Sequence, residues 1–282
     1  MVSSPEPISS ADVARHYDQL DRYYREIWGE HVHHGYWKTG RETPEEAARA
    51  MVDAVIDRAQ IKPGMSVLDV GCGYGATARI IAREFHAYAT GVTISAMQHG
   101  HAEESTYPDS NPRFVLEDWL QNGQTTGSFD VVLALESTEH MPDKPRALSE
   151  MARVLRPGGR LVVVSWLAGD QRTPWQDAHL IKPICQAGRL ATVGTAPEYE
   201  EWIAQSGLKL EERIDISAQV AKTWPVCAWR FGIGLLRHPS YLRLLLSARN
   251  DDRVFVTTVI RIWLAYKLGA LRMVIFTAVK PQ

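Results

Sequence analysis

A short stretch of this chain combines an acidic residue with three glycines at alternate positions, namely Asp69, Gly71, Gly73 and Gly75. Apolar residues before it predict a strand, and residues 76–82 after it predict a helix. Glycine adopts conformations that side chains obstruct, and its bare backbone lets a ligand lie against the helix N-terminus. Asp69 would stand at the carboxyl end of the strand, where ligands bind in open α/β sheets. The pattern therefore predicts a site for a nucleotide-like cofactor.

The glycines alone leave the cofactor open, because Gly71, Gly73 and Ala76 also satisfy the looser fingerprint of dinucleotide-binding proteins. That fingerprint requires an acidic residue about twenty positions later, which holds a ribose. The second predicted strand, residues 88–92, instead runs into Thr93-Ile94-Ser95 and has no carboxylate at its tip. A dehydrogenase is therefore disfavoured, and a tight turn without a ligand stays as a further alternative.

The surrounding segments alternate between strand and helix patterns, which implies parallel pairing with right-handed crossovers. A turn at 156–160, Arg-Pro-Gly-Gly-Arg, separates a helix from the strand after it. Strands are predicted at 67–70, 88–92, 113–116, 129–135, 160–166, 208–216 and 271–279, and helices at 95–107 and 144–155. We expect an α/β fold, a doubly wound Rossmann-like seven-stranded mostly parallel sheet with N-terminal helices and a helical cap inserted before the last strand.

Three regions are predicted along the chain. Residues 1–60 would form an N-terminal helical lid, in which 1–10 are rich in Ser and Pro and expected to be disordered. A helix from Ala11 to about Gly29 has an apolar, aromatic stripe, and Thr43-Pro44-Glu45-Glu46 predicts the start of another. Residues 61–168 would form the cofactor-binding core. Residues 169–282 would complete the sheet and carry a helical cap over the substrate at 218–269.

The charge is unevenly distributed, although the net charge is only −2. From Ala218 to Gln282 there are ten Lys/Arg against two acids, a local balance of +8. Such segregation can attract an anionic substrate or a membrane surface, and the simpler alternative is a solvated helical face. There is no nucleic-acid recognition motif, so no nucleic-acid partner is predicted.

No apolar run approaches the length needed for stable membrane insertion, and the first residues lack the layout of a signal peptide. The three cysteines, Cys72, Cys185 and Cys227, are scattered and have no metal-like spacing. These features favour a reducing cytoplasm. The sequence leaves open whether the chain forms a homo-oligomer.

Several stretches, in a consistent order, resemble the successive motifs of class I S-adenosylmethionine-dependent methyltransferases. They are Leu68–Gly75, Gly91–Ser95, Glu136–Lys144 and Leu155–Gly159. The segment Trp28–Trp37, together with the Glu-His-Met-Pro-Asp-Lys run, more particularly resembles the tocopherol methyltransferase group. Similarity to sterol C-methyltransferases and to actinobacterial natural-product methyltransferases is weaker. The likeness spans residues 12–280.

This resemblance implies S-adenosyl-L-methionine as the cofactor, with S-adenosyl-L-homocysteine as its product. It would place Asp69 and the glycine turn near the methionine portion, and Tyr36 would close over the methionyl end. Thr93 and Ile94 would lie by the ribose, with Gln98 close by. Asp118 would accept from the adenine amino group and Trp119 would stack on the ring. Trp119 departs from the small residues that family members often have there.

Methyl transfer from a sulfonium requires alignment, exclusion of water and, for some acceptors, removal of a proton. Glu136, Glu139 and His140 follow a predicted strand and would reach the mouth of the sheet. His140 is the first candidate for the base because its ordinary pKa lies near neutrality, and Glu136 is the second. His34, Tyr24 and Glu26 would orient the acceptor or help remove the proton. For each, a structural hydrogen bond is an alternative.

The segment between the first two helices contains three histidines, His31, His33 and His34. A compact set of Cys, Asp or Glu partners is missing around them, so no metal site is predicted. The many aromatic residues of the lid and cap instead predict a largely apolar acceptor, because apolar ligand pockets are lined in this way.

The main hypothesis is methylation of a hydrophobic small molecule, an isoprenoid, terpenoid or prenylated aromatic, at carbon and in secondary metabolism. A cation formed on an isoprenoid alkene could be stabilised by Trp or Tyr faces. The first alternative is O- or N-methylation of a polyketide or alkaloid. A second, from another class, is a non-catalytic subunit that binds the cofactor.

Overall fold

The structure, a computed structural model, describes residues 1–106, 111–237 and 250–282, with side chains from Thr258 onwards in the last range. Its strands are β1 (Val2–Ser3), β2 (Ser66–Val70), β3 (Tyr88–Thr93), β4 (Arg113–Leu116), β5 (Phe129–Leu135), β6 (Leu155–Ala168), β7 (Thr192–Val193), β8 (Lys209–Asp215) and β9 (Leu271–Val279). Seven of them form one sheet in the order β4-β3-β2-β5-β6-β9-β8. Within it β9 runs antiparallel to β6 and β8. The predicted fold class is confirmed.

The α-helices are α1 (Ser10–Trp28), α2 (Pro44–Ala59), α3 (Ala76–Glu84), α4 (Ala96–Glu104), α5 (Lys144–Val154), α6 (Pro174–Gln176), α7 (Lys182–Gly188), α8 (Ala196–Gln205), α9 (Ser217–Val220), α10 (Thr223–Arg237) and α11 (Asn250–Lys267). Short 3₁₀ turns follow β4 and β5, at Trp119–Gln121 and Thr138–His140. The predicted start of α2 is present, because the Thr43 side chain accepts from the Glu46 backbone and Glu46 bonds back. No helix in the described ranges is long and apolar enough to cross a membrane.

Alternate residues of the central strands pack against opposite layers of helices. On one face Val131 and Leu133 join a core that includes Met51 of α2 and Ile81 of α3. On the other face Val132 belongs to a core that contains α5 and α8 side chains. The sheet is therefore covered on both sides, and its carboxyl edge is left for a ligand.

The expectation of disorder at residues 1–10 is wrong. Val2 and Ser3 pair with Val193 and Thr192, and Ile8 is buried with Val13 of α1. The Ser- and Pro-rich composition predicted disorder, but the segment also contains Val2 and Ile8, whose apolar side chains are buried in the folded chain.

The predicted turn at 156–160 also differs from the structure. The helix before it ends at Val154 and β6 starts at once, with Leu155 opposite Phe129 and Arg160 opposite Val131. The residues between form a bulge, in which Gly158 has a φ of +77°. The region predicted as a substrate cap contains the helices α9, α10 and α11, and residues 238–249 lie outside the described ranges.

Candidate functional site

Two cavities lie side by side at the carboxyl edge of the sheet. The first, called here the loop cavity, has about 750 Å³ of empty space and is lined by the glycine turn and by residues after β3, β4 and β5. The second, the aromatic cavity, has about 730 Å³ of empty space and is lined by Tyr24, Trp28, Trp166 and Trp224, among others. Both cavities are lined by Tyr17, Val32, Glu136 and His140. These four residues form the shared wall.

The three glycines after β2 have different roles. A Cβ on Gly71 would lie 2.3 Å from that of Ser137, and one on Gly75 would lie 2.3 Å from the Phe114 ring. A Cβ on Gly73 would meet nothing within 4 Å, and Gly73 lines the loop cavity. Gly71 and Gly75 are therefore required by packing, while Gly73 leaves open space for a ligand.

Asp69 is buried at the carboxyl end of β2, and burial raises the pKa of its carboxyl group to about 7. No described residue donates a hydrogen bond to this carboxylate, and Asp69 itself does not line the loop cavity, although Gly71 two residues later does. A buried carboxylate without a cationic or hydrogen-bonding partner is unfavourable. The ammonium group of a methionyl moiety held at the glycine turn would supply such a partner.

The remaining predicted cofactor residues after β3 and β4 line the loop cavity: Thr93, Ile94, Gln98, Asp118 and Trp119. The Thr93 hydroxyl donates to the Gln98 Oε1 at 3.0 Å, which fixes that amide at the edge of the cavity. Asp118 Oδ1 accepts from the Leu120 backbone N–H at 3.0 Å. The buried Trp119 donates its indole N–H to the Ala147 carbonyl oxygen.

Tyr36 does not lie beside these residues. Its backbone N–H donates to the Ala47 carbonyl at 2.8 Å, its ring packs against the core, and it lines neither cavity. The structure brings Tyr17 of α1 to the shared wall instead. The sequence showed Tyr17 only as one member of an aromatic stripe, so its place in the site was missed.

Helix α1 crosses the loop cavity and is attached at two points. Asp18 Oδ1 accepts from the Ser95 hydroxyl at 2.6 Å and from the Met97 backbone, which are at the start of α4. The buried Asp21 accepts from the Tyr74 hydroxyl at 2.8 Å, within the glycine turn. Both contacts hold Tyr17, which directly precedes Asp18 on the same helix, over the cavity.

His140 is partly buried, and both of its ring nitrogens are occupied. Nδ1 lies 3.1 Å from the Arg189 carbonyl oxygen, which can only accept, so this nitrogen carries the proton. Nε2 lies 2.9 Å from the Tyr17 hydroxyl and accepts from it. Burial lowers the pKa of His140 to about 4, so the ring is neutral at neutral pH. The lone pair on His140 Nε2 is therefore directed to the Tyr17 hydroxyl, at the shared wall.

Glu136 connects the sheet to the segment between α1 and α2. Its carboxylate accepts from the His34 backbone N–H at 2.7 Å, from His34 Nδ1 at 2.6 Å and from the Trp166 indole at 2.8 Å. Trp224 of α10 donates to His34 Nε2 at 2.7 Å. Burial opposes ionisation of Glu136, but His34, His33 and the Trp166 indole together outweigh it, so the pKa of Glu136 is lowered. A carboxylate satisfied in this way is a weak base.

Two further candidates face the aromatic cavity. The Tyr24 hydroxyl bonds to His16 Nε2 at 2.9 Å, and burial raises the pKa of Tyr24. Burial and the neighbouring Glu136 raise the pKa of Glu139 to about 8. Glu26, on the exposed side of α1, pairs with Arg22 instead. No group of three His, Cys, Asp or Glu side chains in the described ranges could hold a metal.

The parallel sheet, the open glycine turn and the unpartnered Asp69 fit S-adenosylmethionine. Fold and site together define an S-adenosylmethionine-dependent methyltransferase. The chain belongs to the family described as mycolic acid cyclopropane synthetase, which residues 6–232 match.

Relatives and solved structures agree with this assignment. The chain is 33% identical to the 27-O-demethylrifamycin SV methyltransferase of Amycolatopsis mediterranei, over 78% of this chain and 82% of that protein. It is 29% identical to the chloroplastic tocopherol O-methyltransferase of Arabidopsis thaliana, over 95% and 82%. The crystal structure of the mycolic acid cyclopropane synthase CmaA1 with SAH and CTAB has the same fold, with a TM-score of 0.84 at 19% identity over 98% and 99%.

Proposed function

We propose that this methyltransferase acts on a hydroxyl oxygen of a hydrophobic small molecule. The observation that carries the proposal is the place of His140, whose neutral Nε2 lies on the wall shared by the two cavities. An acceptor in the aromatic cavity would meet the donor methyl at this wall. Oxygen methylation requires removal of one proton at that point, and an imidazole lone pair can take it.

The sulfonium donor, when bound, supplies a methyl group that is already activated. The chain has to align the acceptor, exclude water and accept the proton. His140 would take the hydroxyl proton on Nε2, while its Nδ1–H stays on the Arg189 carbonyl oxygen. Tyr17 occupies Nε2 in the absence of an acceptor and holds the ring in this orientation. Glu136 would hold His34 and Trp166 in place and not accept the proton, because its oxygens already accept three hydrogen bonds from these two residues. We call this arrangement the Glu136 clamp.

The lining of the aromatic cavity supports an apolar acceptor. Three tryptophans, Trp28, Trp166 and Trp224, come from three different elements, and Val259 and Ile262 of α11 add aliphatic surface. The names of the relatives, a rifamycin-type and a tocopherol O-methyltransferase, favour a phenolic, terpenoid or polyketide acceptor of secondary metabolism.

Carbon methylation of an isoprenoid alkene is the second candidate. It is favoured by the aromatic cluster, in which the Trp166 and Trp224 rings are 5.7 Å apart and the Tyr24 and Trp28 rings 5.5 Å. Aromatic faces stabilise a cation by about 1–2 kcal/mol each when it is desolvated. His140 would then take a proton from carbon after methyl transfer.

The experiment is product analysis with donor labelled in its methyl group with ¹³C. The acceptors are a prenylated phenol, the same compound with its hydroxyl already methylated, and an isoprenoid alkene without a hydroxyl. We expect label on oxygen, identified by the ¹³C chemical shift, and only with the first acceptor. Label on carbon would favour the second candidate, and product from the blocked phenol would contradict oxygen methylation.

A further inference from the structure

The polar groups of the aromatic cavity are almost all engaged within the protein. The described hydroxyl, carboxylate and imidazole groups with a hydrogen-bond partner there are those of Tyr17, Tyr24, His33, His34, Glu136, Glu139 and His140. Each of these groups already has at least one partner within the protein, which limits its capacity to bind a polar group of an acceptor. A polar group on a bound acceptor therefore finds little to recognise it at this end of the cavity.

Thr258 of α11 is different. It lines the aromatic cavity and is 6% exposed, and its Oγ1 is buried without a hydrogen-bond partner in the part of the chain that the structure describes. It also lacks the bond to the carbonyl of the preceding turn, which helical threonines often make. A buried hydroxyl without a partner is costly, so proteins rarely keep one without a reason. Rotation about one side-chain bond is enough to direct this hydroxyl to a ligand.

We propose that Thr258 binds a second, non-reacting oxygen of the acceptor, a hydroxyl or carbonyl group. Thr258 lines only the aromatic cavity, whereas the reacting oxygen belongs at the wall shared with the loop cavity. The acceptor is then an apolar molecule with two oxygens, one for methylation and one for recognition. This inference rests on the proposed function for the role of the first oxygen, but binding at Thr258 does not require turnover.

Binding is measured with protein saturated with S-adenosylhomocysteine, by quenching of the fluorescence of the cavity tryptophans. Two matched pairs of probes are used: a prenylated hydroquinone against the prenylated phenol without the second hydroxyl, and an ω-hydroxylated prenyl alcohol against the plain alcohol. We expect wild type to prefer the dioxygenated member of at least one pair by about tenfold, as one buried hydrogen bond allows.

Thr258→Val keeps the shape of the side chain and should abolish this preference, while Thr258→Ser should retain it. Thr277→Val is the matched control, because Thr277 is also buried with an unpartnered hydroxyl but lies on β9 and lines neither cavity. The melting temperature of unliganded Thr258→Val should not fall, since no protein hydrogen bond is lost.

The proposal is overturned if wild type shows no preference in either pair, or if Thr258→Val keeps the preference. A different result would contradict the proposed function and leave this inference intact. In that case the binding preference depends on Thr258, but neither dioxygenated probe is methylated on oxygen.

Discussion

The Tyr17 hydroxyl and His140 Nε2 lie 2.9 Å apart and join the first helix to the turn after β5. Burial lowers the pKa of His140 to about 4 and raises that of Tyr17 far above its usual value. The proton of this pair therefore belongs to the tyrosine, and the imidazole presents a lone pair. Because both residues line both cavities, the pair stands where donor and acceptor would meet.

The pH dependence of kcat should reflect this partly buried imidazole. The pKa of His140 in the folded protein is below its ordinary value. The ring therefore stays neutral and able to accept a proton as the pH falls, until the pH approaches about 4. We expect kcat at saturating donor to change little from about pH 8 to about pH 5, where an exposed histidine would already be mostly protonated. A fall of kcat with a midpoint near the ordinary histidine pKa would contradict the assignment.

Cofactor affinity should depend on the ionisation of Asp69. Burial raises its pKa to about 7 in the unliganded protein, and an ammonium group would bind the ionised form. Binding then releases a proton, so the affinity for S-adenosylhomocysteine should fall by up to about tenfold per unit as the pH decreases below 7. Titration calorimetry across this range measures it. Asp69→Asn should bind weakly with a flatter profile, and an unchanged profile would exclude Asp69 as the titrating group.

Alanine substitutions at Gly73 and Gly71 should differ in whether they mainly lower cofactor affinity or mainly lower stability. Gly73→Ala puts a methyl group into open space, so the fold should lose only about 1–2 kcal/mol for its positive φ while cofactor affinity falls clearly. Gly71→Ala collides with Ser137 and should lower the melting temperature much more. Thermal unfolding and calorimetry on both variants check this. Equal losses of stability would show that Gly73 is also fixed by packing.

The clamp at Glu136 should be a source of stability. Glu136→Gln keeps the shape but replaces a carboxylate that receives three hydrogen bonds, so we expect a loss of about 1–3 kcal/mol in unfolding free energy. Glu45→Gln is the control, because its pair with Arg230 is exposed and should contribute about 0–1 kcal/mol. Similar values for both variants in chemical denaturation would contradict the clamp.

Local sequence patterns were enough to predict several residues that line the loop cavity. The glycine turn, Thr93 and Asp118 each follow a strand with a clear apolar pattern, and the carboxyl ends of parallel strands converge on one edge. Those positions follow from the strand order, and no long-range packing information is needed to place them.

The acceptor end depends on packing between distant segments. Tyr17 and Tyr36 are both tyrosines of the N-terminal region, yet only the first reaches the shared wall. The difference arises from the attachment of α1 through Asp18 and Asp21, contacts that bridge 77 and 53 residues and leave no periodic signal. Thr258 was missed for the same reason, since an unpartnered hydroxyl is visible only in the folded chain.

The most direct test of the account compares kcat for His140→Ala and His16→Ala on an acceptor that wild type methylates on oxygen. His16 also forms a partly buried histidine–tyrosine pair, with Tyr24, but lines neither cavity. We expect His140→Ala to lower kcat by about 10²–10⁴ while it still binds S-adenosylhomocysteine, and His16→Ala to stay within about tenfold of wild type. Unchanged turnover in His140→Ala would contradict the central claim.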